Sequence, residues 1–183
     1  MKIVDKKLII LLVVILLSIS TVLIGYDLDL KNQLKIYNMN KIVGVKSNKL
    51  VYNIDSINLD EASKTCTIEG WAILKGTNCY NIIPTVILKG KNGDMYKLNT
   101  RIVTRSDITK FYNGSLADTN THLTCETIGN AGVTKYKNVY DNSGLIAKFN
   151  FEELKKNESY DIGIQLDDNS VVYFGWTKSK VQI

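Results

Sequence analysis

The chain is poor in the residues that metal, nucleotide and nucleophile chemistry usually require. His122 is its single histidine, so a histidine cluster for a metal is excluded and a Ser-His-Asp triad has one candidate base. Cys125 stands three residues further on, which in a strand puts the two side chains on opposite faces and counts against a Cys-His dyad. No Cys-x-x-Cys pair, His-Glu-x-x-His or phosphate-binding glycine loop occurs. Asp167-x-Asn169 and Asp118-x-Asn120 are too sparse for a calcium loop. No cofactor and no metal is expected, and the chain is not expected to be an enzyme. Paired carboxylates for glycoside hydrolysis need only proximity in the fold, and Glu69, Asp107, Glu126 and Asp141 are the acids to follow.

Arginine is almost as scarce. Arg101 and Arg105 are the only two among 23 basic residues, against 18 acids and a formal net charge of +5. Setting aside Lys2, Lys6, Lys7 and Asp5 leaves 20 basic against 17 acidic residues, with the signs interspersed. A basic stripe with interleaved aromatics is missing, so nucleic acid is not an expected partner. One proline and twelve glycines, with no low-complexity run, argue against a disordered tail. The odd count of cysteines, Cys66, Cys79 and Cys125, leaves one thiol or all three unpaired. A hairpin turning near Lys75 to Asn78 would set Cys66 opposite a residue near Ile87, which argues against a Cys66–Cys79 bridge.

What the chain does have is one long apolar run. Leu8 to Tyr26 contains no charge and no proline, and as a helix its nineteen residues measure about 28 Å, close to the ~30 Å hydrocarbon core of a bilayer. Lys2, Lys6 and Lys7 precede it and Asp27 and Asp29 follow, so the lysine excess predicts a cytoplasmic N-terminus. A cleaved signal peptide ending near Ser18-Ile19-Ser20 is the rival reading, but the run continues through Val22, Leu23 and Ile24, longer than such a region needs. Either reading exports the remainder. The expected organisation is a cytoplasmic tail over 1–7, a transmembrane anchor in the lipid bilayer over 8–26, a stalk or linker over 27–49 and an extracytoplasmic domain over 50–183.

From Leu50 the apolar period changes to two. Leu50, Tyr52 and Ile54 alternate with Val51, Asn53 and Asp55, as a half-buried strand requires. Thr65 to Leu74 is a second strand, with Gly70 a possible bulge that would swing Trp71 inward beside Cys66 and Ile68. Ile82 to Lys89 and Met95 to Thr104 flank Asn92-Gly93, a strong hairpin signal. Ser106 or Asp107 caps a helical turn. An inserted hairpin is expected near 113–140, then a strand over Gly144 to Asn150. A one-turn helix follows, capped by Asn150 and stapled by Phe149 and Leu154. A last hairpin joins Tyr160 to Leu166 with Val171 to Trp176. Seven or eight strands at near-regular spacing predict a mainly β fold, an antiparallel immunoglobulin-like β-sandwich preceded by a single transmembrane helix.

In order, Gly70-Trp71-Ala72, Arg105-x-Asp107-Ile108, Ser143-Gly144-Leu145 and Tyr160-Asp161-Ile162-Gly163-Ile164 give the domain a resemblance to a class of small β-sandwich modules. These accompany bacterial cell-surface polysaccharide and teichoic-acid glycosyltransferases and occur on membrane-anchored surface proteins. The resemblance covers roughly 63–176, with Ile108 in place of a valine, Leu145 in place of a phenylalanine and an apparent insertion around 113–140. It implies a fold and a cell-envelope setting, and no catalytic residues go with it. On the chemistry of the residues themselves, Trp71, Arg105, Asp107 and Gly144 have structural roles: a core indole, an ion pair across one turn, and a close backbone approach.

The expected function is therefore a non-catalytic binding or accessory module outside the cell membrane. Tyrosines and tryptophans are platforms on which sugar rings stack, and Trp176, Tyr136 and Tyr140 are the expected exposed ones, pointing to a cell-wall glycan. The competing expectation is a structural or assembly protein that docks another envelope protein through a sheet edge or the inserted hairpin.

Overall fold

The structure is a computed structural model that describes residues 3–39, 41, 44–113, 138–169 and 171–183. It divides into two units, Met1–Lys35 and Ile36–Ile183.

The first unit is a single helix, α1 (Ile3–Gln33). Its stretch Leu8–Leu28 is long and apolar enough to cross a membrane, and none of it is buried within the protein. A helix apolar on every side has no face that prefers water, which fits a lipid surrounding. The helix runs seven residues past Tyr26, into the span expected to be a stalk.

The second unit is a sandwich of two antiparallel sheets. Its strands are β1 (Ile36–Met39), β2 (Leu50–Asp60), β3 (Thr65–Leu74), β4 (Ile83–Lys89), β5 (Met95–Leu98), β6 (Thr100–Val103), β7 (Gly144–Asn150), β8 (Ser159–Asp167) and β9 (Val172–Gln182). One sheet has the order β1-β5-β4-β8-β9 and the other β2-β3-β7-β6. The core between them is built by alternation: Cys66, Ile68, Ala72 and Leu74 of β3 and Leu145, Ala147 and Phe149 of β7 face Val86 and Leu88 of β4 and Tyr160, Ile162, Ile164 and Leu166 of β8.

Several local expectations hold. The β4–β5 turn closes at Asn92-Gly93, with Gly93 at φ +91 and the Gly90 N–H donating to the Asp94 carbonyl at 2.9 Å. The Asn150 side chain accepts from the Glu152 N–H at 2.9 Å and caps a 3-10 turn over Phe151–Glu153, while Phe149 and Leu154 are buried beside it. β8 and β9 form the last hairpin.

Four expectations are corrected. The sandwich begins at β1, inside the span expected to be stalk, because Ile36–Met39 pairs with β5. The single strand expected over Met95 to Thr104 breaks at Asn99, β5 staying in one sheet and β6 entering the other. Thr100 eases the break: its hydroxyl accepts from the Val86 N–H at 2.9 Å, a β4 donor that the departing strand leaves unpaired. β3 and β4 lie in different sheets, so Cys66 stands opposite Leu59 and Phe149 rather than near Ile87. The bulge falls on β2 at Asp55 rather than at Gly70, so Trp71 stays on the opposite face of β3 from Cys66 and Ile68. There it is partly buried and meets Tyr112 edge to face at 5.9 Å. The inserted hairpin, with His122, Cys125 and Tyr136, lies outside the described residues.

Candidate functional site

The outer face of the five-stranded sheet carries a continuous cross-strand row, Tyr37–Lys97–Ile87–Gly163–Trp176. Phe174 lies on the same face two residues before Trp176, and the two rings meet edge to face at 4.9 Å. Both lie over Gly163, where a Cβ would fall 2.7 Å from Phe174 and 2.9 Å from Trp176. Ile87 beneath this layer is fully buried, yet it belongs to no part of the inter-sheet core. The face thus has a small apolar layer of its own, with the Lys89 ammonium 5.7 Å above the Trp176 ring.

At the margin of this layer β9 meets the chain entering β2. Val45 makes a parallel bridge to Tyr173, its N–H donating to the Val172 carbonyl at 2.8 Å. Lys46, Ser47 and Leu50 follow, and Tyr52 lays its ring on the Gly175 backbone, where a Cβ would come within 2.6 Å of the Tyr52 hydroxyl. That hydroxyl donates to the Trp176 carbonyl at 2.8 Å. The result is a cleft of about 310 Å³ lined by Lys46, Ser47, Leu50, Tyr52, Phe174, Gly175 and Trp176. Its size is at the lower end of ligand sites. Phe174 and Trp176 project from the outer face of β9, Phe174 buried and Trp176 partly exposed, whereas Tyr52 packs against the opposite face at Gly175.

The second polar constellation lies on the outer face of the four-stranded sheet, before α2 (Ser106–Asn113). Arg105 makes two parallel bonds to Asp107, Nε to Oδ1 at 2.9 Å and Nη2 to Oδ2 at 2.8 Å, and reaches Asp55 with Nη1 at 2.5 Å. The β2 bulge presents Asp55 to it, and Gly144 clears the way, since a Cβ there would fall 2.5 Å from the Val103 carbonyl oxygen and 2.7 Å from Arg105 Cγ. The guanidinium holds the Asp107 carboxyl below the usual carboxylate range. Thr109 donates to Asp141 at 2.6 Å and accepts from the Tyr140 N–H, and Asn113 donates to the Asn138 carbonyl at 2.8 Å. These bonds bring together the two chain ends that flank residues 114–137. The expected pairing of Arg105 with Asp107 and the close approach at Gly144 are both present.

The aromatic candidates separate. Trp176 lines the cleft, partly buried. Tyr140, expected exposed, is only 3 % exposed: its hydroxyl accepts from the Gly76 N–H at 3.0 Å and its ring packs on Tyr112, so it offers no free face. Three of the four followed acids are engaged: Glu69 accepts from Ser56, Asp107 pairs with Arg105 and Asp141 accepts from Thr109; Glu126 lies outside the described residues. Cys66 and Cys79 are free, buried thiols, and burial pushes both up to about 12. Among the described residues no three His, Cys, Asp or Glu side chains are grouped to hold a metal ion.

Sequence reasoning picked Trp176 and missed Lys46, Ser47, Tyr52 and Phe174. One local signal was available: glycine between two aromatics in a strand, Phe174-Gly175-Trp176, marks a place where something approaches the backbone closely. The chain matches no family model, no curated protein and no solved structure.

Proposed function

We propose that the protein is a membrane-anchored, extracytoplasmic, non-catalytic binding module of the cell envelope, held N-in by α1, and that the cleft between β9 and the start of β2 takes a saccharide. The observation that carries this reading is the cleft at the β2–β9 edge, where the partly exposed Trp176 stands with Lys46 and Ser47. The partly exposed Trp176 ring presents an apolar face for the C–H side of a sugar, while the Ser47 hydroxyl and the Lys46 ammonium answer its polar rim. The flanking charges of the apolar helix support the orientation, and the resemblance to envelope β-sandwich modules supports the setting. The test is retention of cell-wall polysaccharide by the full-length protein in detergent micelles. Wild type is expected to retain a defined fraction unchanged in length, and Trp176→Ala to lose it. Equal retention by both, or shortening of the polymer, would overturn the reading.

A second reading, an assembly protein that docks another envelope protein, is favoured by Phe111. This α2 residue is 76 % exposed, next to the Asn113–Asn138 bonds. Crosslinked co-purification of one envelope protein that is lost with Phe111→Ser, while polysaccharide retention stays absent, would replace the first reading by this one.

A further inference from the structure

The two ends of the sandwich differ in what they expose. At one end the loops 60–64, 90–94 and 155–158 carry no large apolar residue, and two of their lysines are tied in ion pairs, Lys64 to Glu61 and Lys155 to Asp94. At the other end the loops form one cluster. The Asn169 side chain of the β8–β9 turn donates to the Asn81 carbonyl at 3.4 Å, the Val139 N–H donates to the Asn78 side chain at 2.8 Å, and Asn113 of α2 donates to the Asn138 carbonyl at 2.8 Å. These bonds hold together that turn, the β3–β4 loop, the chain before β7 and α2. Tyr80, Ile83, Phe111 and Val171 are all exposed on this cluster. Exposed apolar side chains gathered in one region mark a contact with a protein or with a membrane.

The path of the chain selects the membrane. Ile36 pairs with Leu98 and Met39 with Met95, so β1 runs toward the 90–94 turn, and the chain enters the sandwich from the side of the apolar cluster. The apolar span ends at Leu28 and β1 begins at Ile36. Residues 29–33 continue α1 at about 1.5 Å each and the three steps to Ile36 cover at most ~3.5 Å each, so the chain reaches at most about 18 Å past the span. The headgroup layer takes up roughly 5–8 Å of that reach. The four side chains come from three separate segments, which suits insertion into a fluid headgroup layer better than the continuous packed core of a protein interface. We propose that the cluster is a membrane-contacting surface, with Tyr80, Ile83, Phe111 and Val171 entering the headgroup layer of the outer leaflet. Tyrosine belongs at this depth, its ring in the apolar layer and its hydroxyl in water. The proposal rests on the membrane-anchored, extracytoplasmic reading above and does not depend on the ligand of the cleft.

The test uses the full-length protein in nanodiscs of phosphatidylcholine and phosphatidylglycerol. A benzophenone-bearing amino acid replaces one residue at a time: Ile83 or Phe111 in the cluster, Glu61 or Lys156 at the opposite end, and Val14 within the apolar helix. All five are exposed side chains, and unchanged circular dichroism is the control for folding. After illumination, lipid adducts at Ile83 and Phe111 are expected to exceed those at Glu61 and Lys156 by about fivefold or more, with adducts also at Val14. Adducts at Val14 with no excess at Ile83 and Phe111 overturn the surface contact and leave the anchor standing. Absence of adducts at Val14 removes the anchor itself, and the contact with it. Illumination of the Phe111 variant in intact cells separates the two kinds of partner: lipid adducts are expected, and adducts with a protein alone overturn the lipid contact in favour of docking.

Discussion

The Tyr52 hydroxyl donates to the Trp176 carbonyl at 2.8 Å, and this bond ties the edge strand of one sheet to the edge strand of the other. Tyr52→Phe is expected to cost about 0.5–1.5 kcal/mol, the net worth of one hydrogen bond. Gly175→Ala is expected to cost more, about 1–3 kcal/mol, because its methyl would enter the Tyr52 ring. Denaturant melts of the two single variants and the double variant check this, with a non-additive double as the expected result.

Arg105 joins three elements through one guanidinium, and the group is partly exposed, which limits its worth. Arg105→Leu is expected to cost about 1–2 kcal/mol, with two aspartates losing their partner. Arg105→Lys is expected to recover less than half, since an ammonium cannot make the parallel pair to Asp107 while reaching Asp55. Gly144→Ala is expected to be at least as damaging as Arg105→Leu, because its Cβ would strike the Val103 backbone. Thermal unfolding of the three variants ranks them.

The same contacts set an acid dependence. Asp107, hydrogen-bonded to Arg105, and Asp94, hydrogen-bonded to Lys155, both titrate below the usual carboxylate value in the folded chain. A depressed folded pKa contributes stability that is present above the unfolded value near ~3.9 and is lost as pH falls through the folded value. Stability is expected to be flat from pH 5 to 8 on account of these groups and to fall below about pH 4. The fall should be shallower in Arg105→Leu, which has no Asp107 bond to lose. Urea midpoints from pH 2.5 to 7 measure both curves.

Cys66 and Cys79 are buried and their thiols sit near 12, so little thiolate exists at neutral pH. In a Cys125→Ser background, alkylation at pH 8 is expected to be slow and to rise with denaturant in step with unfolding. Rapid labelling of either cysteine in the folded chain would contradict its placement.

Much of the sandwich was legible where the determinant is local. Asn92-Gly93 demands its turn, Asn150 caps the backbone two residues on, and β8 alternates buried and half-exposed residues for most of its length. What escaped is set by distant partners. The break at Asn99 depends on Thr100 reaching Val86, the bulge at Asp55 on Arg105 arriving from fifty residues away, and the burial of Tyr140 on Gly76 and Tyr112. Of the cleft, Trp176 was legible as an aromatic in a late strand. Tyr52 was legible only as a strand residue, because its site role comes from its contact with Gly175, 123 positions on.

The central claim is that this cleft meets a saccharide outside the cell. A photoreactive amino acid placed at Ser47 of the full-length protein and activated in intact cells tests it most directly. The account predicts an adduct with a saccharide polymer, removed by glycan-specific cleavage and absent when Trp176→Ala is added. An adduct with a cytoplasmic protein, or one that persists unchanged in Trp176→Ala, would contradict it.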